Sequence, residues 1–249
     1  MRKHFIVLGI IVSFFGYSCN DNSSQPLLIA TAANMQFAIS PLLKEFTKTT
    51  GIACEPIISS SGKLTAQIKN GAPYNVFLSA DMKYPEVLYK EGFTIDSPKI
   101  YAYGTLVLWS IIESNPLSLD ILTSPSISHI ALANPKTAPY GKAAIEVLQE
   151  LNLSTTLEEK LVFGESIAQT NQFITSQVAE FGFTAKSVVV SPNVKGQGQW
   201  ISIDTSLYSP IKQGIVLLKN IPDKHTEAQL FYDFLLSTKG QAILKEYGY

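Results

Sequence analysis

Hydrophobic runs that close on small or polar residues and pass directly into helical periodicity recur along this chain. Residues 27–34 read LLIATAAN, and beyond them Met35, Ala38, Ile39, Leu42, Leu43 and Phe46 fall at helical spacing. The pattern describes a buried strand feeding a helix whose start carries no bulky side chain. It returns three times, at 57–62 (IISSSG), 130–141 (IALANPKTAPYG) and 161–167 (LVFGESI). A helix start presents unpaired backbone N–H groups and the positive end of its peptide dipoles, so several converging starts form a site for an anion.

Between these points strand-like and helix-like segments alternate. The apolar segments LLIATAA, IACEPII, VFLSA, YGTLVLWSI, HIALAN, LVFG, FGFTA, WISID and QGIVLL are interspersed with helical patterns over 35–49, 62–70, 84–91, 141–151 and 166–177, and two further helices close the chain. Pro41 is expected to kink or step the first of these helices. Alternation of this kind predicts an α/β fold with parallel-rich sheets covered on both faces. Two long β-like segments, 101–112 and 210–218, are expected to cross between two lobes. The expected layout is a first lobe from 27–103 and 216–249 and a second from 104–215, with a ligand cleft where the carboxyl ends of the two sheets face each other.

The first 18 residues read as a secretory signal, with Arg2 and Lys3, an apolar stretch over 5–15, and Gly16, Tyr17 and Ser18 ahead of Cys19. Cys19 stands where a bacterial lipobox places its acylated cysteine, and 19–26 is a polar tether. The expectation is a periplasmic or cell-surface protein held to the membrane by lipid. Past the signal no apolar run reaches the ~18 residues a spanning helix needs. Cys54 is the one other cysteine and lies in the apolar IACEPII, which reads as a strand residue with no disulfide partner. His129 and His225 have no metal-ligand spacing around them. The net charge of −1 becomes two units more negative once Arg2 and Lys3 leave, and no run of Lys or Arg tracks a phosphate backbone, which argues against nucleic acid. The anion must be small and enclosed.

Four places could recognise it. Asn34 serves either as a helix cap or as a ligand donor through its backbone N–H and side-chain NH₂. Ser59, Ser60 and Ser61 with Gly62 supply hydroxyls and a close backbone, or form a plain capped loop. Tyr140 offers its amide, ring or phenol, or merely covers a helix end, while Ile167 can offer only its amide. Lys63 and Lys142 sit in first turns, where a cation is locally unfavourable; the solvated reading is preferred to a ligand role, and Glu165 suits the dipole without one.

The ordered set IATAANM, SSSGKLTAQIKNGAPYNVFLSAD, YAYGTLVLWS, ANPKTAPYGKAAIEVL, KLVFGESIAQT, FGFTA and FYDFLLSTKGQAILKEYGY resembles the periplasmic molybdate-binding proteins, the substrate-binding components of molybdate ABC importers, nearly from Leu27 to Tyr249. The resemblance implies the two-lobed type II periplasmic-binding-protein fold, each lobe a mixed sheet flanked by helices. It also implies a molybdate or tungstate ligand, no catalysis and no cofactor, an inner-membrane ABC permease as partner, and a monomer. By matching position, the oxyanion is held by Asn34, Ser61, Tyr140 and Ile167, with the Ala33 amide as a further candidate. Some members carry a donor Tyr where this chain has Ala185, and Tyr140, Lys186, Ser187 or a water are the candidates to replace it.

A tetrahedral dianion carries only acceptor oxygens, so neutral donors can hold it through charge-assisted hydrogen bonds. The rival ligands on the same fold are sulfate, chelated iron or an organic acid. A rival of another class, an exported hydrolase with a serine of SSSG as nucleophile, has no GxSxG elbow and no histidine motif to support it.

Overall fold

The computed structural model describes residues 25–113, 117–219 and 222–249. The expected signal, Cys19 and most of the tether lie outside them. Ten strands are described: β1 (Leu27–Ala32), β2 (Cys54–Ser59), β3 (Val76–Leu78), β4 (Lys99–Gly104), β5 (Leu106–Ser110), β6 (Ile130–Ala133), β7 (Leu161–Gly164), β8 (Phe181–Ala185), β9 (Gln199–Ser202) and β10 (Ile211–Leu217). The helices are α1 (Ile39–Thr50), α2 (Ser61–Lys69), α3 (Lys83–Lys90), α4 (Pro139–Glu150), α5 (Ser154–Leu157), α6 (Ile167–Thr175), α7 (Lys186–Val189), α8 (His225–Leu236) and α9 (Thr238–Glu246).

The strands form two five-stranded mixed sheets, ordered β2-β1-β3-β10-β4 and β7-β6-β8-β5-β9. Each has three parallel strands followed by one antiparallel strand, β10 in the first and β5 in the second. In the first sheet successive side chains feed opposite cores, as a two-residue period requires. Leu27 and Ile29 pack with Met35, Phe46, Phe231 and Leu235 on one face. Ala30 and Phe77 pack with Leu64, Ile68 and Leu88 on the other. Phe46 and Phe231 meet edge to face, with centroids 5.3 Å apart at 88°. The second sheet centres on fully buried Trp109, whose Nε1 donates to the Gln197 carbonyl at 2.8 Å. Ala32, Ala33 and Ala80 of the first lobe join that second core, so the lobes meet through small apolar residues.

Expectations for three segments are corrected. The helix expected from residue 35 starts at Ile39, after a separate 3₁₀ turn at Ala33–Met35. Pro41 then falls in the first turn of α1, where a missing N–H breaks no helical bond, so no kink is needed. Segment 101–112 is two strands rather than one, β4 and β5 parting at Thr105 to join different sheets. Segment 210–218 crosses nothing: Ile211 pairs with Gly104 inside the first sheet, so the return crossing lies before it, and 211–215 leave the second lobe to which the expected boundary assigned them.

Candidate anion-binding site

The site follows from strand register. β1 and β2 run parallel with Ala32 opposite Ser59, and β6 and β7 run parallel with Ala133 opposite Gly164. Parallel neighbours that end level release their helix starts side by side, outside the carboxyl edge of each sheet. The two edges face each other across a narrow cavity lined by Ala32, Ala33, Asn34, Ser60, Ser61, Ala80, Ala138, Pro139, Tyr140 and Ile167. All five residues expected to hold the ligand are therefore brought to one place.

Each helix start is built to leave an amide for that cavity. Ser60 caps α2, its Oγ accepting from the Lys63 amide at 3.4 Å, which leaves the Ser61 amide outside the cap. Pro139 occupies the first position of α4, so the first N–H of that helix belongs to Tyr140. Ser166 caps α6 by accepting from the Gln169 amide, and Ile167 is the first helical residue. Among the lining residues Ser61 also offers a hydroxyl. Its Oγ accepts from the Ala80 amide at 2.9 Å, which turns the hydroxyl proton away from Ala80 and frees it for a ligand. No charged side chain lines the cavity. Lys63 reaches across the cleft to pair with Glu165, and Lys142 pairs with Glu146 at 3.3 Å on an exposed helix face. The Ser60 and Ser61 hydroxyls meet backbone amides, with no imidazole hydrogen-bonded to either.

Behind the cavity lies a buried network that sequence reasoning did not anticipate. The Asn34 Nδ2 donates to Gln213 Oε1 and to the Tyr249 hydroxyl, each at 3.0 Å. Tyr101 donates to the same Gln213 oxygen at 2.8 Å, and Gln213 Nε2 donates to the Tyr140 hydroxyl at 3.2 Å. Ser187 Oγ and the Tyr249 hydroxyl both donate to the Asn34 carbonyl, at 2.9 and 3.0 Å. Two expectations change here. The Asn34 amide nitrogen is turned into the network rather than outward, and the Tyr140 phenol faces Gln213, leaving its backbone amide for the cavity. Ala185 ends β8 without a polar side chain, and the phenol nearest Asn34 is that of Tyr249. A glutamine inside the apolar strand IKQGIVL was the one local signal for this network.

Burial raises the phenols of Tyr101, Tyr140 and Tyr249 above their ordinary value, so each remains a neutral hydroxyl at physiological pH. Elsewhere burial pushes the Cys54 thiol up to about 12, which leaves it protonated and inert. Among the described residues no cluster of three or more His, Cys, Asp or Glu could hold a metal ion, and no helix is long and apolar enough to cross a membrane.

Comparison with known proteins gives the same direction. Residues 27–249 match the family described as bacterial extracellular solute-binding protein. The chain is 39% identical over 226 residues to the molybdate-binding protein ModA of Azotobacter vinelandii, covering 89% of this chain and 88% of that protein. It is 25% identical to the putative ABC transporter substrate-binding lipoprotein YvgL of Bacillus subtilis, over 100% of this chain and 98% of the relative. The solved periplasmic molybdate-binding protein of Azotobacter vinelandii superimposes with a TM-score of 0.84 at 36% identity, covering 90% of this chain and 98% of that one.

Proposed function

We propose that this chain, which belongs to the bacterial extracellular solute-binding proteins and among them to the ModA proteins, captures molybdate or tungstate outside the cytoplasm and delivers it to an ABC importer. The observation that carries the reading is the convergence of helix starts from both lobes, with the Ser61 hydroxyl, on one small cavity without charged side chains. The oxyanion is held by Asn34, Ser61, Tyr140 and Ile167, assisted by the Ala33 amide. All are neutral, and the aligned dipoles of α2, α4 and α6 supply the positive potential in place of a cation.

Binding needs no bond-making step, and no group in the cavity is arranged for one. On this reading the protein acts as a carrier. Fully deprotonated dianions suit a cage of donors, whereas hydrogen phosphate must itself find an acceptor. Sulfate is separated by size, because a donor cage fixed by two packed sheets fits one oxyanion radius best. Capture between separated lobes, closure around the anion, and release to an inner-membrane permease complete the cycle; the driving force for closure is the extra affinity of the closed form. Acylation of Cys19 would keep the carrier near that permease, a reading supported by the lipoprotein name of the Bacillus relative.

Titration calorimetry of the purified chain with molybdate, tungstate, sulfate and phosphate tests the assignment. Tight heats are expected from the first two only. Strong sulfate binding with silence from molybdate would overturn it.

A further inference from the structure

The Asn34 side chain is 2% exposed and lines the cavity, yet both hydrogens of its Nδ2 go to Gln213 and Tyr249, neither of which lines it. Its Oδ1, on the other side of the planar amide, is buried with no hydrogen-bond partner. An unpaired buried acceptor is unfavourable, and a residue that lines an oxyanion site with both its amide hydrogens engaged elsewhere offers the ligand no side-chain donor. One rearrangement removes both problems.

We propose that Gln213 and Tyr249 are positioning residues for the anion, exchanging their hydrogen bonds with Asn34 as its amide turns end for end when the oxyanion enters. This rests on the oxyanion reading given above. After the turn Nδ2 donates to the anion, and Oδ1 accepts from the Tyr249 hydroxyl and from Nε2 of a Gln213 turned in the same way. The remaining partners stay satisfied. Gln213 Oε1 then accepts from the Tyr140 hydroxyl, Gln213 Nε2 also donates to Tyr101, and the Tyr101 hydroxyl donates to the Ser79 carbonyl, 3.4 Å away. Ser187 continues to donate to the Asn34 carbonyl. Heavy atoms scarcely move, because an amide turned about its long axis exchanges N and O in place. Tyr101 lies on β4 and Gln213 on β10, so the anion is registered at the two strands beside the crossings between lobes.

The test uses the full chain with sodium molybdate, comparing wild type with Tyr249→Phe and Gln213→Met by calorimetry, and following the Asn34 side-chain NH₂ pair in ¹⁵N–¹H spectra. Each variant loses a neutral hydrogen-bond partner of Asn34 and is expected to bind roughly tenfold more weakly. In wild type the Asn34 pair should shift on saturation, and in both variants that shift should be reduced while the remaining amide spectrum stays that of the folded chain, a combination that a purely structural role for Gln213 and Tyr249 would not produce. Affinities within twofold of wild type for both variants, or an unshifted Asn34 pair at saturation, overturn the positioning role alone. A wild type that does not bind molybdate overturns the oxyanion reading with it.

Discussion

The two lobes share one strand order, yet they present different chemistry to the cavity. The first contributes polar side chains as well as amides, through Asn34, Ser60 and Ser61. The second contributes Ala138, Pro139, Tyr140 and Ile167, whose side chains are apolar or, for Tyr140, bonded elsewhere through the phenol. One half of the site is thus made by backbone geometry and the other is tuned by side chains. Substitutions should be felt through different atoms in the two halves.

The largest effect is expected on the side-chain half. Ser61→Leu places a bulky group among the residues lining the narrow cavity and should weaken molybdate binding by at least a thousandfold, about 4 kcal/mol, with an unchanged circular dichroism spectrum. Retained affinity in calorimetry would remove Ser61 from the site. The backbone half is probed by contrast. Ile167→Pro deletes one N–H at a helix position that tolerates proline and should cost roughly 10- to 100-fold, whereas Ile167→Ala keeps the amide and should stay within about threefold. Equal losses from the two would mean that the side chain, not the amide, matters there.

Contact between the halves comes next. A Cβ on Gly62 would lie 2.9 Å from Thr137 Cα and 2.8 Å from the Tyr84 hydroxyl, and the Gly62 amide donates to the Thr137 carbonyl at 2.9 Å. Gly62→Val should therefore hold the lobes apart, weakening binding about tenfold and raising the radius of gyration measured by X-ray scattering with ligand present. The smallest effect is expected from pH. Because the Tyr101, Tyr140 and Tyr249 phenols are raised, their neutral forms persist past the ordinary value of about 10, and affinity should be flat between about pH 6.5 and 9. The same raised values put any loss of fold stability from these groups above pH ~10, where the unfolded chain ionises first. A slope in affinity within the flat window would point to a charged donor.

What could be read from the sequence was local. LLIATAAN, IISSSG and LVFGESI each carry strand, turn and helix start within about eight residues, so the two sheets and the helix starts between them followed from periodicity. The lipobox and signal reading belongs to residues outside those described. Asn34 and Gln213 are 179 positions apart and Asn34 and Tyr249 are 215 apart, and no periodicity links residues at such separations. The expected lobe boundary after residue 103 falls beside the break at Thr105, but 101–112 has uninterrupted strand character, and only the assignment of its halves to different sheets shows it to be two strands.

The chain passes between the sheets once after Gly104 and again before Ile211, and those two residues are paired neighbours at one sheet edge. A single covalent link would let one body swivel freely about the other. Two links side by side would act as a pair of pins, leaving chiefly one rotation, so that in the proposed cycle the same amides would return to the same places. Discrimination among oxyanions that differ by tenths of an ångström in bond length would then depend on that repeatability as much as on the identity of the donors.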